Sequence, residues 1–416
     1  YELRDIDRAF VTDLVYGTVK WKLSIDWVIE QFSSIRLKKL SPWIINILRL
    51  GVYQLLYTDK VPESAACNES VNLSRRYGHQ AASRFVNGVL RNIARNRAEI
   101  KYPDKEKDII GYLSIKFSHP AWMVENWLQR FGSGFTESLL EANNSVPELT
   151  VRLNDLKITK TQLQDELKKA GLETSDGRYL ENAIIIKNPV SLGRLDTFKA
   201  GYFQVQDESS MLVGKILDPQ PGETIVDVCS APGGKTTHIA KLMKNNGDVI
   251  DRDIHQHKLK LIEEASQRLG MKIIKTQLYD ATVVDESLTG RADRVLVDAP
   301  CTGLGIIRRK PDIKWARNLK DRDEIVSLQS KILDCSSKYV KPGGVLVYST
   351  CTIEPEENEY MVKGFMEKNR DFIPEAVDKL LPDGISSITP GGGTVQLYPN
   401  IHETDGFFIS KLRRKE

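Results

Sequence analysis

Asp227-Val228-Cys229-Ser230-Ala231-Pro232-Gly233-Gly234-Lys235-Thr236-Thr237 follows an apolar, β-rich run that begins at Thr224. A glycine-rich turn between a strand and a helix lets backbone approach a ligand closely, and the helix start offers free N–H groups. Gly234-Lys235-Thr236 matches the end of a P-loop, but the leading glycine would have to stand at position 229, which is Cys229. The dinucleotide pattern G-x-G-x-x-G also fails. The loop is therefore of nucleotide type but of another kind.

Outward from this loop the pattern alternates. Strand-like runs occur at Thr224–Cys229, Val249–Ile250, Ile273–Ile274, Arg294–Asp298 and Val345–Ser349, followed late by Thr394–Tyr398 and Gly406–Leu412. Amphipathic stretches His255–Leu269 and Glu324–Val340 lie between them. This predicts an α/β domain over 209–416 with a mostly parallel, doubly wound sheet and ligands at the carboxyl ends of its strands. Asp253 follows the second strand, where an acidic side chain accepts from ribose hydroxyls. Asp280 follows the third and Asp298 ends the fourth. Each alone reads equally well as a helix cap; in sequence they fit a cationic or adenosine-bearing ligand better than a triphosphate.

Residues 1–140 read as all-helical. Ser41-Pro42 starts a helix that carries Ile44, Ile45, Leu48, Val52 and Leu55 at helical spacing. Gly78 separates two more helices, and the second presents Ala82, Phe85, Val86, Val89 and Ile93 on one face. Residues 141–208 read as a small α+β connector, with strand-like Leu149–Leu153 and Ala183–Ile186, a helix at Lys160–Ala170, and a strand entering a helix at Gly201–Asp207. The chain opens at Tyr1 within a helical pattern, so a truncated first domain is expected.

The 416 residues imply two or three domains, and 41% hydrophobic with 28% charged residues is an ordinary globular composition. Apolar runs such as Trp43–Leu48, broken by Arg49, are too short to span a bilayer. Five scattered cysteines point away from a disulfide scaffold and toward a reducing, cytoplasmic compartment. The net charge of +3 averages over two basic clusters. Residues 71–100 hold six arginines against one glutamate, and residues 306–322 hold seven cations against two aspartates, a local net of +5 in each. Arg75, Arg84 and Arg91 in the first, and Arg308, Arg309, Lys310 and Lys314 in the second, are candidate RNA-phosphate contacts; solvated helix faces are the alternative. Trp315 is a candidate stacking residue or a core tryptophan.

Cys301, in Asp298-Ala299-Pro300-Cys301-Thr302-Gly303, and Cys351, in Tyr348-Ser349-Thr350-Cys351-Thr352, both sit just past strand ends, on the ligand side. No C-x-x-C spacing or histidine cluster accompanies them, which argues against a metal.

With these motifs in view, residues 225–412 resemble the Sun and NOL/NOP family of RNA 5-methylcytosine methyltransferases. The resemblance runs through Cys229–Lys235, Asp298–Gly303 continuing into Arg308–Trp315, Thr350–Thr352 with Pro355–Glu359, and Thr404–Phe408. The helical region is similar to NusB-type RNA-binding domains through Gly51–Tyr57 and Asn87–Arg91. The resemblance implies a Rossmann-like class I methyltransferase domain with a seven-stranded, mostly parallel sheet. It implies S-adenosylmethionine held by Cys229, Ser230, Ala231, Pro232, Gly233, Gly234, Lys235, Asp253, Asp280 and Asp298. It also implies methylation of a cytosine in bacterial 16S ribosomal RNA, with Cys351 as nucleophile, Asp298 on the cytosine edge and Cys301 assisting release. The reverse assignment of the cysteines, a non-catalytic RNA-binding factor, and another RNA such as tRNA remain open alternatives. A monomer is expected. Arg252 and Tyr279 depart from the family pattern beside the expected cofactor site.

Overall fold

The structure, a computed structural model, describes residues 4–59, 61–188, 191–389 and 392–416. The start of the expected helical pattern at Tyr1 lies outside the described residues. The chain divides into two compact units, residues 1–145 with 310–316, and residues 146–309 with 317–416.

The first unit is helical, as its sequence predicts. Ser41 caps the helix Pro42–Tyr57 by accepting from the Ile44 N–H. Gly78 ends the helix Glu63–Tyr77, and the helix Gln80–Arg95 follows. Ile44, Leu48, Val52, Leu55, Ala82, Val86, Val89 and Ile93 enter one core, with Phe85 half-buried against it.

The segment 310–316 also belongs to this unit, which sequence pattern alone does not reveal. Lys314 is fully buried, and its ammonium donates to the Lys20 carbonyl at 2.8 Å and to Asn144 Oδ1 at 3.2 Å. The Trp315 indole N–H donates to the Val19 carbonyl at 2.7 Å. Lys314 is therefore internal, and its expected place among exposed phosphate contacts is corrected. Its long apolar stem makes burial tolerable once the ammonium finds carbonyl acceptors.

In the second unit, β1 (Leu149–Leu153), β2 (Thr174–Asp176), β3 (Ala183–Ile186) and β4 (Phe203–Val205) form an antiparallel sheet ordered β2-β3-β1-β4. The larger sheet contains β5 (Thr224–Asp227), β6 (Asp248–Asp253), β7 (Ile274–Leu278), β8 (Ala292–Asp298), β9 (Val340–Thr350), β10 (Phe372–Pro374), β11 (Thr394–Leu397) and β12 (Phe407–Arg414). Its order is β10-β12-β9-β8-β5-β6-β7, with β11 also paired to β12. Pairs among β5 to β9 are parallel, and β12 runs antiparallel to β9. The doubly wound expectation thus holds, and the three-residue β10 is additional. The helix expected to reach Val340 ends at Ser337, because Val340 opens β9 opposite Ala292. Helices Glu208–Leu217 and Gly234–Leu242 bury Leu212, Ile216, Ile239 and Ala240 against Ile225, Val249 and Val347.

Burial, and then the neighbouring Lys20, pushes the Lys314 ammonium well below its ordinary pKa. The folded state therefore releases this proton before the unfolded chain does, and stability rises as pH climbs from the folded value toward the unfolded one. Lys314→Met is expected to reduce that rise, measured as the difference in urea unfolding free energy between pH 7 and pH 10.

Candidate active site

The cofactor-type loop joins β5 to the helix Gly234–Leu242. Gly233 takes a left-handed φ of +92°, open to glycine at no steric cost, and its N–H closes a tight turn onto the Ser230 carbonyl at 2.8 Å. Ser230 donates through its N–H and Oγ to the Arg252 carbonyl, at 3.0 and 2.9 Å. This ties the loop to β6. Ala231 is half-buried, Pro232 is exposed, and burial with the nearby acids raises the Cys229 thiol pKa.

The two residues that mimic a P-loop ending point elsewhere. Lys235 pairs with Asp298 at 2.7 Å, its ammonium 4.9 Å from the centre of the Phe407 ring. Thr236 is buried, with its hydroxyl 2.8 Å from Asp227 and 2.9 Å from Asp251. One hydroxyl proton cannot serve two carboxylates, so one acid of this pair carries a proton. Burial and mutual repulsion raise Asp227 well above the ordinary carboxyl range, and burial pushes Asp251 up to about 6. A phosphate has no place beside such a pair.

Asp253 ends β6 and accepts from the His255 N–H at 2.8 Å. Asp280 is exposed beyond β7, with one oxygen on the Thr282 N–H and hydroxyl. The two departures, Arg252 and Tyr279, answer each other. Arg252 is buried, ion-paired with Asp285, hydrogen-bonded to Gln277 at 3.0 Å, and 4.1 Å from the centre of the Tyr279 ring. An aromatic face and a carboxylate together accommodate the guanidinium.

Cys301 and Cys351 come together from the ends of β8 and β9, with their Sγ atoms 3.3 Å apart. Asp298, the last residue of β8, is held by Lys235 and by Ser349 Oγ at 2.9 Å. The hydrogen bond with Cys351, then burial, raises the Cys301 thiol well above its ordinary pKa. Either sulfur can donate in this contact.

Residues beyond the expected set fix this geometry. The fully buried Glu357 accepts from the Thr302 N–H at 2.9 Å, from the Thr302 hydroxyl, and from Gln329 Nε2 at 3.0 Å. Its neighbour Asn358 accepts from Thr350 Oγ1 at 2.6 Å and donates to the Thr352 carbonyl at 3.1 Å. The Thr302 and Thr352 hydroxyls lie 2.9 Å apart. Adjacent side chains therefore hold the two cysteine loops, one each. Both lie in the Pro355–Glu359 motif, and the signal was present there as polar residues near a strand end. Gly305 and Gly406 meet so closely that a Cβ on Gly305 would fall 2.0 Å from the Gly406 carbonyl oxygen.

Of the expected RNA contacts, Arg308 is buried and Arg309 half-buried, both in ion pairs. Arg308 donates to Asp405 at 2.9 Å, and Arg309 spans Asp405 and Asp207 at 2.6 Å each. Asp207 and Asp405 neutralise both guanidinium groups, which corrects their assignment as free phosphate contacts. Lys310 is exposed. In the helical unit Arg75, Arg84 and Arg91 are exposed and line one open groove of about 560 Å³, together with Asn68, Asn72, Gln80 and Asn87.

Fold and site define a Rossmann-like methyltransferase domain carried with a NusB-type helical domain. A family model described as 16S rRNA methyltransferase RsmB/F matches residues 214–413; the NusB family matches 1–95, and an RsmF/B-like ferredoxin-like domain matches 119–193. A Bacillus subtilis protein described as "probable ribosomal RNA small subunit methyltransferase B" is 39% identical, covering 100% of this chain and 92% of its own length. Ribosomal RNA small subunit methyltransferase B of Pectobacterium atrosepticum is 33% identical, covering 99% of this chain and 91% of its own. The solved structure of PH0851 is similar with TM-score 0.83 at 30% identity, covering 98% of this chain and 90% of that one. That of NSun6 from Pyrococcus horikoshii with SFG gives TM-score 0.63 at 28% identity, covering 71% and 98%. The chain belongs to the ribosomal RNA small subunit methyltransferase B family.

Glu357→Ala would leave buried donors of Thr302 and Gln329 unpaired, at about 1–3 kcal/mol each. A loss of about 3 kcal/mol or more is expected in chemical denaturation, with Glu357→Gln losing less.

Proposed function

We propose that this chain methylates C5 of a cytosine in 16S ribosomal RNA, with S-adenosylmethionine as methyl donor and a covalent cysteine–cytosine intermediate. The observation that carries this reading is the pair of sulfurs 3.3 Å apart, just beyond the carboxyl ends of two adjacent parallel strands, the first of which ends at Asp298.

The donor set suits a cationic, ribose-bearing ligand. The Cys229–Lys235 loop and the free N–H groups at Gly234 would hold its polar groups, Asp253 its ribose, and Asp280 and Asp298 its remaining polar edges. S-adenosylmethionine supplies an electrophilic methyl group when bound. The Cys351 thiolate adds to C6 of cytosine, and the C5–C6 π electrons make C5 nucleophilic. Asp298 hydrogen-bonds the N3/N4 edge. After C5 has gained its methyl group, the C5 proton leaves and the C6–sulfur bond breaks, returning Cys351 to the thiolate. Cys301, 3.3 Å from that sulfur, assists this elimination. The Cys301 pKa, raised by its hydrogen bond with Cys351 and by burial, suits a proton-carrying partner better than a nucleophile. In the helical unit, Arg75, Arg84 and Arg91 would hold phosphates, with the exposed Lys310 a further candidate.

Methyl transfer from labelled cofactor to bacterial small-subunit rRNA, with the labelled base mapped, tests the activity. Cys351→Ala is expected to abolish both transfer and adduct. Cys301→Ala is expected to leave a stalled RNA–protein adduct on a denaturing gel; the reverse pattern overturns the assignment. RNA affinity is expected to fall linearly on a log–log plot against salt. The slope should shrink by about 1 for each groove arginine changed to alanine.

A further inference from the structure

The helical unit carries an exposed aromatic pair that its fold does not explain. Trp43, 59% exposed, stacks on Tyr77, 41% exposed, with ring centroids 4.7 Å apart and planes 12° from parallel. Their neighbours Ile44 and Ser74 are buried, so the helices already have their core without these rings. The Arg76 guanidinium lies 5.5 Å from the centre of the Tyr77 ring.

The surrounding charge is of one sign. Residues 31–57 and 70–98 contain no aspartate or glutamate. Arg36, Lys38 and Lys39 stand just ahead of Trp43 in the chain, and Arg75 and Arg76 immediately precede Tyr77. Among the described residues none of these five cations is ion-paired. Two planar rings left in water, topped by a guanidinium and ringed by unpaired cations, suit a partner that is planar and apolar on its faces and anionic along its backbone. An unpaired nucleobase in single-stranded RNA has that chemistry. A base pair within a duplex has both faces already stacked and cannot use the platform.

We infer that Trp43 and Tyr77 form a stacking platform for an unpaired base of bound RNA, so that the helical unit selects single-stranded segments. The inference rests on the RNA-directed reading above and adds a binding determinant within the helical domain. The arginine-lined groove would hold phosphates of any RNA; the platform distinguishes a free base from a paired one.

The test is a titration of the full chain with two labelled oligoribonucleotides of equal length, one unstructured and one a hairpin duplex. Trp43→Ala and Tyr77→Ala are surface changes, and their folding is checked by thermal melting. Each is expected to weaken binding of the unstructured oligonucleotide by about 5- to 100-fold, with Trp43→Phe retaining most of the affinity and the duplex changing by less than about twofold. Unchanged binding of the unstructured RNA overturns the platform. So does an equal loss for the duplex, no binding of either RNA by the native chain, or a loss seen only with polyglutamate, which would mark an acidic-protein surface. Binding is read without methyl transfer. A chain that shows the platform effect but methylates no rRNA overturns the activity and leaves this inference standing. A chain that methylates rRNA yet ignores Trp43→Ala and Tyr77→Ala does the opposite.

Discussion

The chemistry of this molecule depends on the parallel pairing of β8 with β9, registered with Asp298 opposite Ser349. That register puts Asp298 within 2.9 Å of Ser349 Oγ and lets the two following loops deliver Cys301 and Cys351 to one point. A slip of one residue would turn Asp298 toward the opposite face and move the two loops out of step. The register is fixed from both flanks. Val295, Leu296, Val297, Leu346 and Val347 are fully buried, and β12 pairs along the other side of β9 from Val345 to Thr350. Apolar burial therefore sets the spacing on which the polar site relies.

The loops beyond the strands need a second device, because loop backbone has no ladder to hold it. Glu357 and Asn358 provide one by binding each cysteine loop separately, and Gly305 against Gly406 provides another through direct backbone contact. The Arg308–Arg309–Asp207–Asp405 quartet adds a third, joining the end of the β8 loop to the segment that leads into β12. Each buries charge or polar atoms at a cost that only complete pairing offsets. That cost explains why so many polar residues cluster beyond two strand ends.

The positions of the strands along the chain and the loop motifs were legible because hydrophobic runs and turn residues are local signals. The helical domain was legible for the same reason: Ser41, Gly78 and the spacing of Val86, Val89 and Ile93 all act within a few residues. What escaped was partnership across long separations. Arg308 and Arg309 read as a polyanion footprint because their carboxylates, Asp207 and Asp405, lie about a hundred residues away on either side. Lys314 read the same way because its acceptors are a backbone carbonyl and an amide, which carry no sign in a charge count. By contrast Arg75, Arg84 and Arg91, expected on the same grounds, do line one open groove. The residues 70–98 around them hold no acid to neutralise them.

The 3.3 Å between the two sulfurs also constrains how they can work. Two thiolates at that distance would repel by about 5 kcal/mol even at an effective dielectric of about 20. The pair therefore holds at most one negative charge, and a proton on one sulfur is a condition of charge on the other. Were Cys351 consumed in a bond to carbon, as in the proposed reaction, that repulsion would disappear and the Cys301 pKa would fall. A thiol held protonated beside the free Cys351 would thus give up its proton more readily once the first step is complete. The coupling of the two sulfurs follows from one distance, and that distance follows from the register of two strands.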